Sequence, residues 1–198
     1  MAQKEKKTAQ IIEAAIQEFL SKGLDASSMH NIAVQADVSK RTLYKYYSTK
    51  ELLYNALIDE LLNRVLELNL VYSPEKTITE QLREILQQKL TLYFSDSFLN
   101  ISRIALGEIL KKKQLTPLQL ERLYSSEAIF IDWIDAAKKD NQITSSLESE
   151  LIANQFHSIL KGQSFYPVLY GFVDVKNIDQ EAIVAVTIEF FINSFCSK

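Results

Sequence analysis

The chain is poor in residues that interrupt secondary structure. Its 198 residues include four glycines and three prolines, and neither low-complexity tracts nor internal repeats are visible. So few glycines and prolines argue against a fold of many short strands and favour long helices. Since 47% of the residues are hydrophobic, the chain can bury a substantial core. The sequence therefore predicts an all-α protein.

Cysteine and histidine are scarce too. Cys196 is the single cysteine, so no internal disulfide can form and a reducing cytoplasm is the expected location. His30 and His157 are the two histidines, and neither has the neighbours of a metal site. We expect no metal and no cofactor. For Cys196, a redox role stays open beside a plain packing role.

Signals for membranes and for catalysis are missing as well. A membrane-spanning helix needs about 18 uncharged apolar residues in a row, and no apolar run resembling a signal sequence follows the charged first residues. Ser/His/Asp groupings and phosphate-binding glycine loops are also lacking. We therefore expect no membrane partner, no enzymatic activity and no catalytic residues.

Charge is unevenly distributed along the chain. The formal net charge of −3 does not by itself indicate nucleic-acid binding. Residues 1–50, however, hold eight Lys or Arg against five Asp or Glu, so the remainder is acidic. A basic head on an acidic body is the distribution expected when only one end of a protein meets phosphate.

The segment Val38-Ser-Lys-Arg-Thr-Leu-Tyr-Lys-Tyr-Tyr-Ser-Thr-Lys50 carries the strongest functional indication. It places hydroxyl, cationic and aromatic side chains on one short helix, directly after a pattern that indicates a helix and a turn. Side chains of these types can contact a DNA backbone and reach base edges. The segment therefore predicts a DNA-recognition helix.

Apolar periodicity and start and stop signals define the expected helices. Gly23 stops the first, Ser39 caps the third, Ser48 to Glu51 form a capping box for the fourth, and Pro167 kinks or ends the eighth. We expect a DNA-binding head over 1–48 and a ligand-binding, dimerising body over 49–198. The predicted helices cover 6–22, 29–36, 39–46, 49–68, 77–94, 98–111, 117–139, 146–170 and 179–195.

The head resembles the TetR-type transcriptional regulators. The matching positions lie in register from residue 8 to residue 55, and residues 154–162 with the final helix resemble the AefR-like version of the C-terminal half. The resemblance rests on Ala14-Ala-Ile-Gln-Glu-Phe19, Gly23, Ser27-Ser28, Ile32-Ala33, Ala36, Val38-Ser39, Thr42-Leu43-Tyr44, Tyr46-Tyr47 and Lys50-Glu51-Leu52-Leu53.

This resemblance implies a function as well as a fold. It implies an all-helical homodimer whose heads read a pseudo-palindromic double-stranded DNA operator and whose bodies bind a small inducer. Such a protein is a ligand-responsive regulator, with repression the expected direction. The rival interpretation, a helical dimeric interaction module without specific DNA binding, conflicts with the basic recognition helix.

The resemblance also implies roles for the residues of the head. Ser28 and Lys50 would contact phosphate, and Arg41 would lie on the recognition helix. By its own chemistry, the planar guanidinium of Arg41 suits either a guanine or a phosphate. Asp37 departs from the family, which usually has glycine in the turn, and Arg41 departs from a commonly small residue. The predicted DNA-binding residues are Ser28, Ser39, Lys40, Arg41, Thr42, Tyr44, Lys45, Tyr46 and Lys50.

Two further sets of residues are predicted in the body. The aromatic bias there favours an apolar or aromatic inducer, although each aromatic residue can equally be a plain core residue. The final helix is apolar nearly all round, which indicates either a dimer interface or full enclosure in the body. The ligand candidates are Phe94, Phe98, Phe130, Trp133, His157, Phe165, Tyr166 and Tyr170; the interface candidates are Phe156, Ile159, Leu160, Val186, Phe190 and Phe191.

Overall fold

The structure, a computed structural model, describes the backbone of residues 2–196 and the side chains of residues 6–196. Within that range it is helical without strands, which confirms the all-α prediction. A π-helical turn, Lys161–Phe165, joins α8 to α9, and a 3₁₀ turn, Val175–Asn177, precedes α10. The helices are α1 (Ala2–Ala26), α2 (Met29–Gln35), α3 (Lys40–Tyr46), α4 (Lys50–Leu66), α5 (Ile78–Tyr93), α6 (Asp96–Leu110), α7 (Pro117–Lys139), α8 (Ser149–Leu160), α9 (Tyr166–Leu169) and α10 (Gln180–Phe195).

Helix boundaries follow local chemistry, with one correction. Gly23 breaks the regular path of α1 at a φ of 72°, a conformation that glycine adopts without a steric penalty. At α4 the predicted capping box of Ser48 with Glu51 is wrong. Thr49 is the capping residue, since its hydroxyl accepts the Leu52 N–H at 3.2 Å.

Pro167 does not end its helix. The Tyr166 N–H donates to the Lys161 carbonyl, five residues back, and the helical path continues through α9 to Leu169. Proline lacks an N–H and its ring clashes with the carbonyl four residues earlier. The π turn ends two residues before Pro167. It widens the helix at the carbonyl that the proline ring would meet in an ordinary α-helical turn.

The described chain forms two compact units. The head unit comprises the residues up to Asn63 together with Asp96–Gln119, and the body unit comprises Arg64–Ser95 and the residues from Leu120 onward. Compactness thus assigns α6 and most of α4 to the head unit. The expected functional boundary at residue 48 concerns DNA contact rather than compactness and stays a prediction.

Each unit has its own apolar core. In the head unit Phe19, Ile32, Leu43 and Leu53 are almost completely buried, and α1 packs against both α2 and α6. The core of the body unit is aromatic, with Phe130, Trp133, Phe156 and Phe191 among its most buried side chains. Aromatic side chains bury large areas, and their rings pack against one another in preferred orientations.

Over residues 2–196, the structure contains no helix with both the length and the apolar character that crossing a bilayer requires.

Candidate functional site

The turn between α2 and α3 fixes the angle of the predicted recognition helix. Asp37, at the position where TetR-type regulators usually have glycine, has a φ of 52°, a left-handed conformation. The N–H groups of Asp37 and Val38 donate to the carbonyls of Val34 and Ala33 at 3.2 and 3.0 Å. The turn is closed by backbone hydrogen bonds, and aspartate tolerates this conformation better than most residues.

Helix α3 presents a cationic face to solvent. Leu43 is completely buried and holds the helix to the head core. Lys40, Arg41, Tyr44 and Lys45 are exposed, and Tyr44 retains 49% of its accessible surface. Because long cationic and phenolic side chains share this face, α3 can meet both phosphates and base edges.

Two predicted DNA-binding hydroxyls belong to the cap of α3. The Ser39 hydroxyl accepts the Thr42 N–H at 3.1 Å and lies 2.8 Å from the Thr42 hydroxyl. This confirms Ser39 as the cap of the third helix. Tyr46 is half-buried on the same helix. Ser39 and Thr42 thus stabilise the start of α3. If they also contact DNA, they do so with hydroxyls that already take part in this cap.

Ser28 and Lys50 also hold the head together. The Ser28 hydroxyl accepts the His30 N–H at 3.2 Å and caps α2. The Lys50 ammonium donates to the carbonyls of Asp25 and Ser27 at 2.7 and 3.3 Å, which ties the start of α4 to the segment between α1 and α2. An ammonium has three donors, so a phosphate contact for Lys50 stays a prediction.

Sequence reasoning missed Glu18, which organises the start of α2. This carboxylate is 1% exposed and accepts from Lys22 Nζ at 2.9 Å, the Ser28 N–H at 3.1 Å and Asn31 Nδ2 at 3.1 Å. Burial acts to raise the pKa of Glu18, but these hydrogen bonds outweigh it and hold the pKa below its usual value. A glutamate on a helix gives no sign of this role until the fold brings α2 beside it.

In the body unit the structure brings some ligand candidates together. The Phe130 ring stacks on Trp133 with centroids 5.5 Å apart and lies 5.2 Å from the His157 ring. Phe130 and Trp133 are almost completely buried. The three residues form what we call the Phe130 cluster.

The remaining ligand candidates lie elsewhere. Phe165, Tyr166 and Tyr170 form a second row, with successive ring centroids 5.8 and 5.9 Å apart. Phe94 is partly exposed at the end of α5. Phe98 belongs to α6 of the head unit, where it is buried. The eight candidates therefore do not form one group within the body unit.

Lys89 was also missed from the sequence. It lies on the inner side of α5, is 4% exposed, and places its ammonium 5.6 Å from the centre of the Phe130 ring. Burial lowers the pKa of Lys89 to about 7, and Lys161 contributes to the shift. In a sequence pattern, a lysine within an amphipathic helix is normally assigned to the solvated face. Periodicity alone could therefore not predict that Lys89 is buried.

Comparison with known proteins agrees with the geometry of both units. Residues 11–57 match the family described as bacterial regulatory proteins, tetR family. Residues 80–196, more than half of the chain, match the family described as AefR-like transcriptional repressor, C-terminal domain. The chain belongs to the TetR family. It is therefore a transcriptional regulator of a family whose members bind DNA and respond to ligands.

Individual relatives agree with this assignment. A TetR family regulator from Pseudomonas syringae pv. tomato str. DC3000 is 30% identical and has a TM-score of 0.75, with 94% of this chain and 95% of that chain covered. The flavonoid-responsive regulator FrrA is 26% identical with a TM-score of 0.69, over 98% and 99% of the two chains. The HTH-type regulator YvdT of Bacillus subtilis strain 168 is 36% identical over 61 residues, so the match spans 31% of that relative's length.

The predicted interface residues of the regulator fall into two groups. Phe156, Leu160 and Phe191 are completely buried in the body unit's own core, so they support α8 and α10 from inside. Val186 is 54% exposed, and Ile159 and Phe190 line an open groove between α8 and α10. The outward apolar surface is accordingly restricted to Ile159, Val186 and Phe190 among the six predicted residues.

Proposed function

We propose that this regulator is a cytoplasmic repressor that binds a pseudo-palindromic operator as a homodimer and releases it when a small aromatic molecule binds the body unit. The observation that carries the proposal is the cationic face of α3. Lys40, Arg41 and Lys45 are exposed on a helix whose position is fixed by a buried Leu43, a capping Ser39 and a closed turn.

The side chains of this face divide by chemistry. Arg41 can donate two parallel hydrogen bonds to O6 and N7 of a guanine, a contact that discriminates bases by about 1–3 kcal/mol. Lys40 and Lys45 act as point charges for phosphate and contribute salt-dependent affinity. Tyr44 offers a hydroxyl that suits a phosphate oxygen. Sequence preference is therefore assigned to Arg41 and general affinity to the lysines.

Dimer formation is supported by the outward surface of α8 and α10. A helix of a monomer needs only one buried stripe, but α10 carries apolar side chains on its exposed side as well, including Val186 and Phe190. A two-fold dimer covers the same apolar patch on both copies. Two heads related by that axis would contact half-sites about 34 Å apart, one turn of DNA.

An aromatic inducer is supported by the Phe130 cluster and by one relative. FrrA is described as flavonoid-responsive, and flavonoids are aromatic. Release requires that the inducer bind more tightly to a state whose heads do not fit successive major grooves. Helix α4 runs from the head unit into the body unit at Asn63 and Arg64, so it is one covalent route for that coupling.

Selection of bound sequences from a random duplex pool at low salt tests the proposal. We expect enrichment of an inverted repeat with half-site centres about 10 base pairs apart. Arg41→Ala should relax one base position in each half-site, whereas Lys45→Ala should weaken all sequences alike. Lys139→Ala, an exposed lysine of the body unit, is the matched control. A pool without an enriched inverted repeat would contradict the proposal and favour an interaction module.

A further inference from the structure

The body unit buries a lysine that no acidic side chain neutralises. Among the described side chains, residues 6–196, the Lys89 ammonium has neither an ion pair nor a hydrogen bond, and it lies over the face of the Phe130 ring. Burial is its main electrostatic influence, and the one charged neighbour that shifts its pKa is another lysine, Lys161. Lysines are almost never buried to this degree without a partner.

His157 adds a buried nitrogen without a hydrogen bond beside the same ring. Its Nε2 is buried and has no hydrogen-bond partner among the side chains that the structure describes, residues 6–196. Burial, with a smaller contribution from the charges of Lys89 and Lys161, lowers the pKa of His157 to about 2. The imidazole is therefore neutral, and in the tautomer that carries the proton on Nε2 it can donate one hydrogen bond.

Lys161 completes the group from the π turn. Burial lowers its pKa, while Glu127 on α7 acts in the opposite direction. Lys161 begins the π turn, and π turns inside helices occur frequently at functional sites. Lys89 and His157 thus lie beside Phe130, and Lys161 is near enough to both to shift their pKa values. Among the described residues, the carboxylate of Glu127 acts on Lys161 and shifts neither Lys89 nor His157.

Such an arrangement works against folding. A charge removed from water without a partner is destabilising, and replacing it by an apolar side chain of similar size often stabilises a protein. Apolar residues would serve packing better at position 89. The arrangement is explained if the partner of Lys89 is an anion that arrives with a ligand.

We propose that the body unit binds an aromatic carboxylate, whose carboxylate pairs with Lys89 and accepts a hydrogen bond from His157 Nε2 while its ring packs on the Phe130 cluster. The proposal deepens the inducer-binding function proposed above and rests on it for its regulatory meaning. A cationic ligand is disfavoured because it would meet two lysines. A neutral ligand is disfavoured because it would leave the buried charge of Lys89 without a counter-charge.

The test uses two aromatic acids of different size with their uncharged counterparts. Calorimetric titration at about pH 6.5, where carboxylic acids are ionised, compares benzoate with benzyl alcohol and 2-naphthoate with naphthalene-2-methanol. Trp133 is the single tryptophan and stacks on Phe130, so quenching of its emission reports whether benzoate or benzyl alcohol binds beside the cluster. No DNA is present, so the result does not depend on operator binding.

We expect the wild type to bind at least one acid roughly tenfold or more tightly than its alcohol. Lys89→Met should remove this preference while the alcohol still binds, and Lys139→Met, an exposed lysine of the same unit, should preserve it. The proposal is overturned if neither acid binds, if acid and alcohol bind equally, or if Lys89→Met retains the preference.

Release of a selected operator is measured separately. If an acid binds through Lys89 but leaves the operator bound, the carboxylate site stands and the inducer role fails. If the acid is not bound but the operator is, the DNA-binding function stands and the carboxylate site is refuted.

Discussion

The two units bury charge in opposite ways. In the head unit Glu18 is 1% exposed and accepts three hydrogen bonds, from Lys22, Ser28 and Asn31. In the body unit Lys89 is 4% exposed and lies over the face of Phe130, with Lys161 as a charged neighbour of the same sign. Glu18 has hydrogen-bond partners for its buried charge, whereas Lys89 has none among the described side chains.

The difference separates a structural charge from a functional one. A buried carboxylate that is fully hydrogen-bonded fixes the elements that supply the donors; for Glu18 these are α1 and the start of α2. A buried ammonium without partners fixes nothing and lowers stability. On the proposed function, the head is preorganised to meet DNA, whereas the body lacks a counter-charge that a ligand would supply.

Glu18→Ala should have the largest effect. It leaves the Ser28 N–H and the Asn31 amide without their acceptor, and we expect a loss of roughly 2–4 kcal/mol in the free energy of unfolding. Denaturant titration measures it. Glu13→Ala removes an exposed acid from the same helix and should change stability little. Equal effects of both substitutions would mean that the Glu18 network does not hold the head.

The pH dependence of the Glu18 contribution has a definite sign. Its pKa in the folded protein lies below the usual 4.5, so its stabilisation is complete above about pH 5 and is lost as the pH falls through the folded value. Wild type and Glu18→Gln should therefore approach each other in stability at acidic pH. A difference that stays constant down to about pH 2 would contradict this.

Lys89→Met should act in the opposite direction. Removal of an unpaired buried charge should raise the free energy of unfolding by roughly 1–4 kcal/mol near neutral pH. The gain is largest below the folded pKa of about 7 and disappears as the pH rises towards the usual value of 10.5. Thermal unfolding as a function of pH measures it, with Lys139→Met as the control. Destabilisation by Lys89→Met would show that Lys89 has a partner in the fold.

Three groups near Lys89 also bear on how the stability difference between wild type and Lys89→Met changes with pH. His157 stays neutral above about pH 3, because burial lowers its pKa to about 2. Lys161, which Glu127 partly compensates, contributes to the titration of both proteins. The difference between wild type and Lys89→Met therefore reports on Lys89 and on its coupling to Lys161.

Two cationic residues of the head, Arg41 and Lys50, also differ in whether the fold supplies partners for their side chains. The Arg41 side chain has no hydrogen bond or ion pair with the described side chains, residues 6–196, whereas Lys50 donates to two carbonyls. We expect Arg41→Ala to reduce discrimination at one base position by about 1–3 kcal/mol without changing stability. Lys50→Ala should lower stability by about 1 kcal/mol and weaken all duplexes. Competition binding and denaturant titration distinguish the two.

Asp37 should give the smallest effect. Asp37→Gly relieves the left-handed conformation, which changes stability by about 1 kcal/mol or less, and it also removes a negative charge beside the DNA-binding face. Asp37→Asn removes only the charge. If charge matters, both variants should bind a selected operator more tightly at low salt, as anisotropy would show; tighter binding by the glycine variant alone would assign the effect to the backbone.

Local signals in the sequence located most of the helices. Helix α3 begins beside the predicted cap Ser39, and α7 begins at Pro117. Gly23 was predicted to end the first helix, but it marks a break within α1, which continues to Ala26. The exposed face of α3 could be predicted because it lies away from the apolar Leu43, which points into the head core. The cap of α4 was misplaced because serine and threonine at neighbouring positions serve equally well as caps, and only the backbone decides between them.

The interior roles of charged residues could not be predicted in the same way. Glu18 and Lys89 look like solvated helix residues in a linear pattern, and each becomes buried only when a distant element packs over it. The same applies to Phe156 and Phe191, whose apolar character fits an interface as well as a core. Assignment of α6 to the head unit likewise depends on contacts far apart in sequence.

Titration of the lysine side chains by nuclear magnetic resonance, with Lys89 assigned through Lys89→Met, tests most directly whether the body buries a cation that awaits an anionic ligand. We predict that Lys89 titrates near pH 7 in the free regulator and that saturation with the tighter-binding aromatic acid raises its pKa above about 9. A Lys89 that titrates near 10.5 in the free protein, or one that the acid leaves unchanged, would contradict the account.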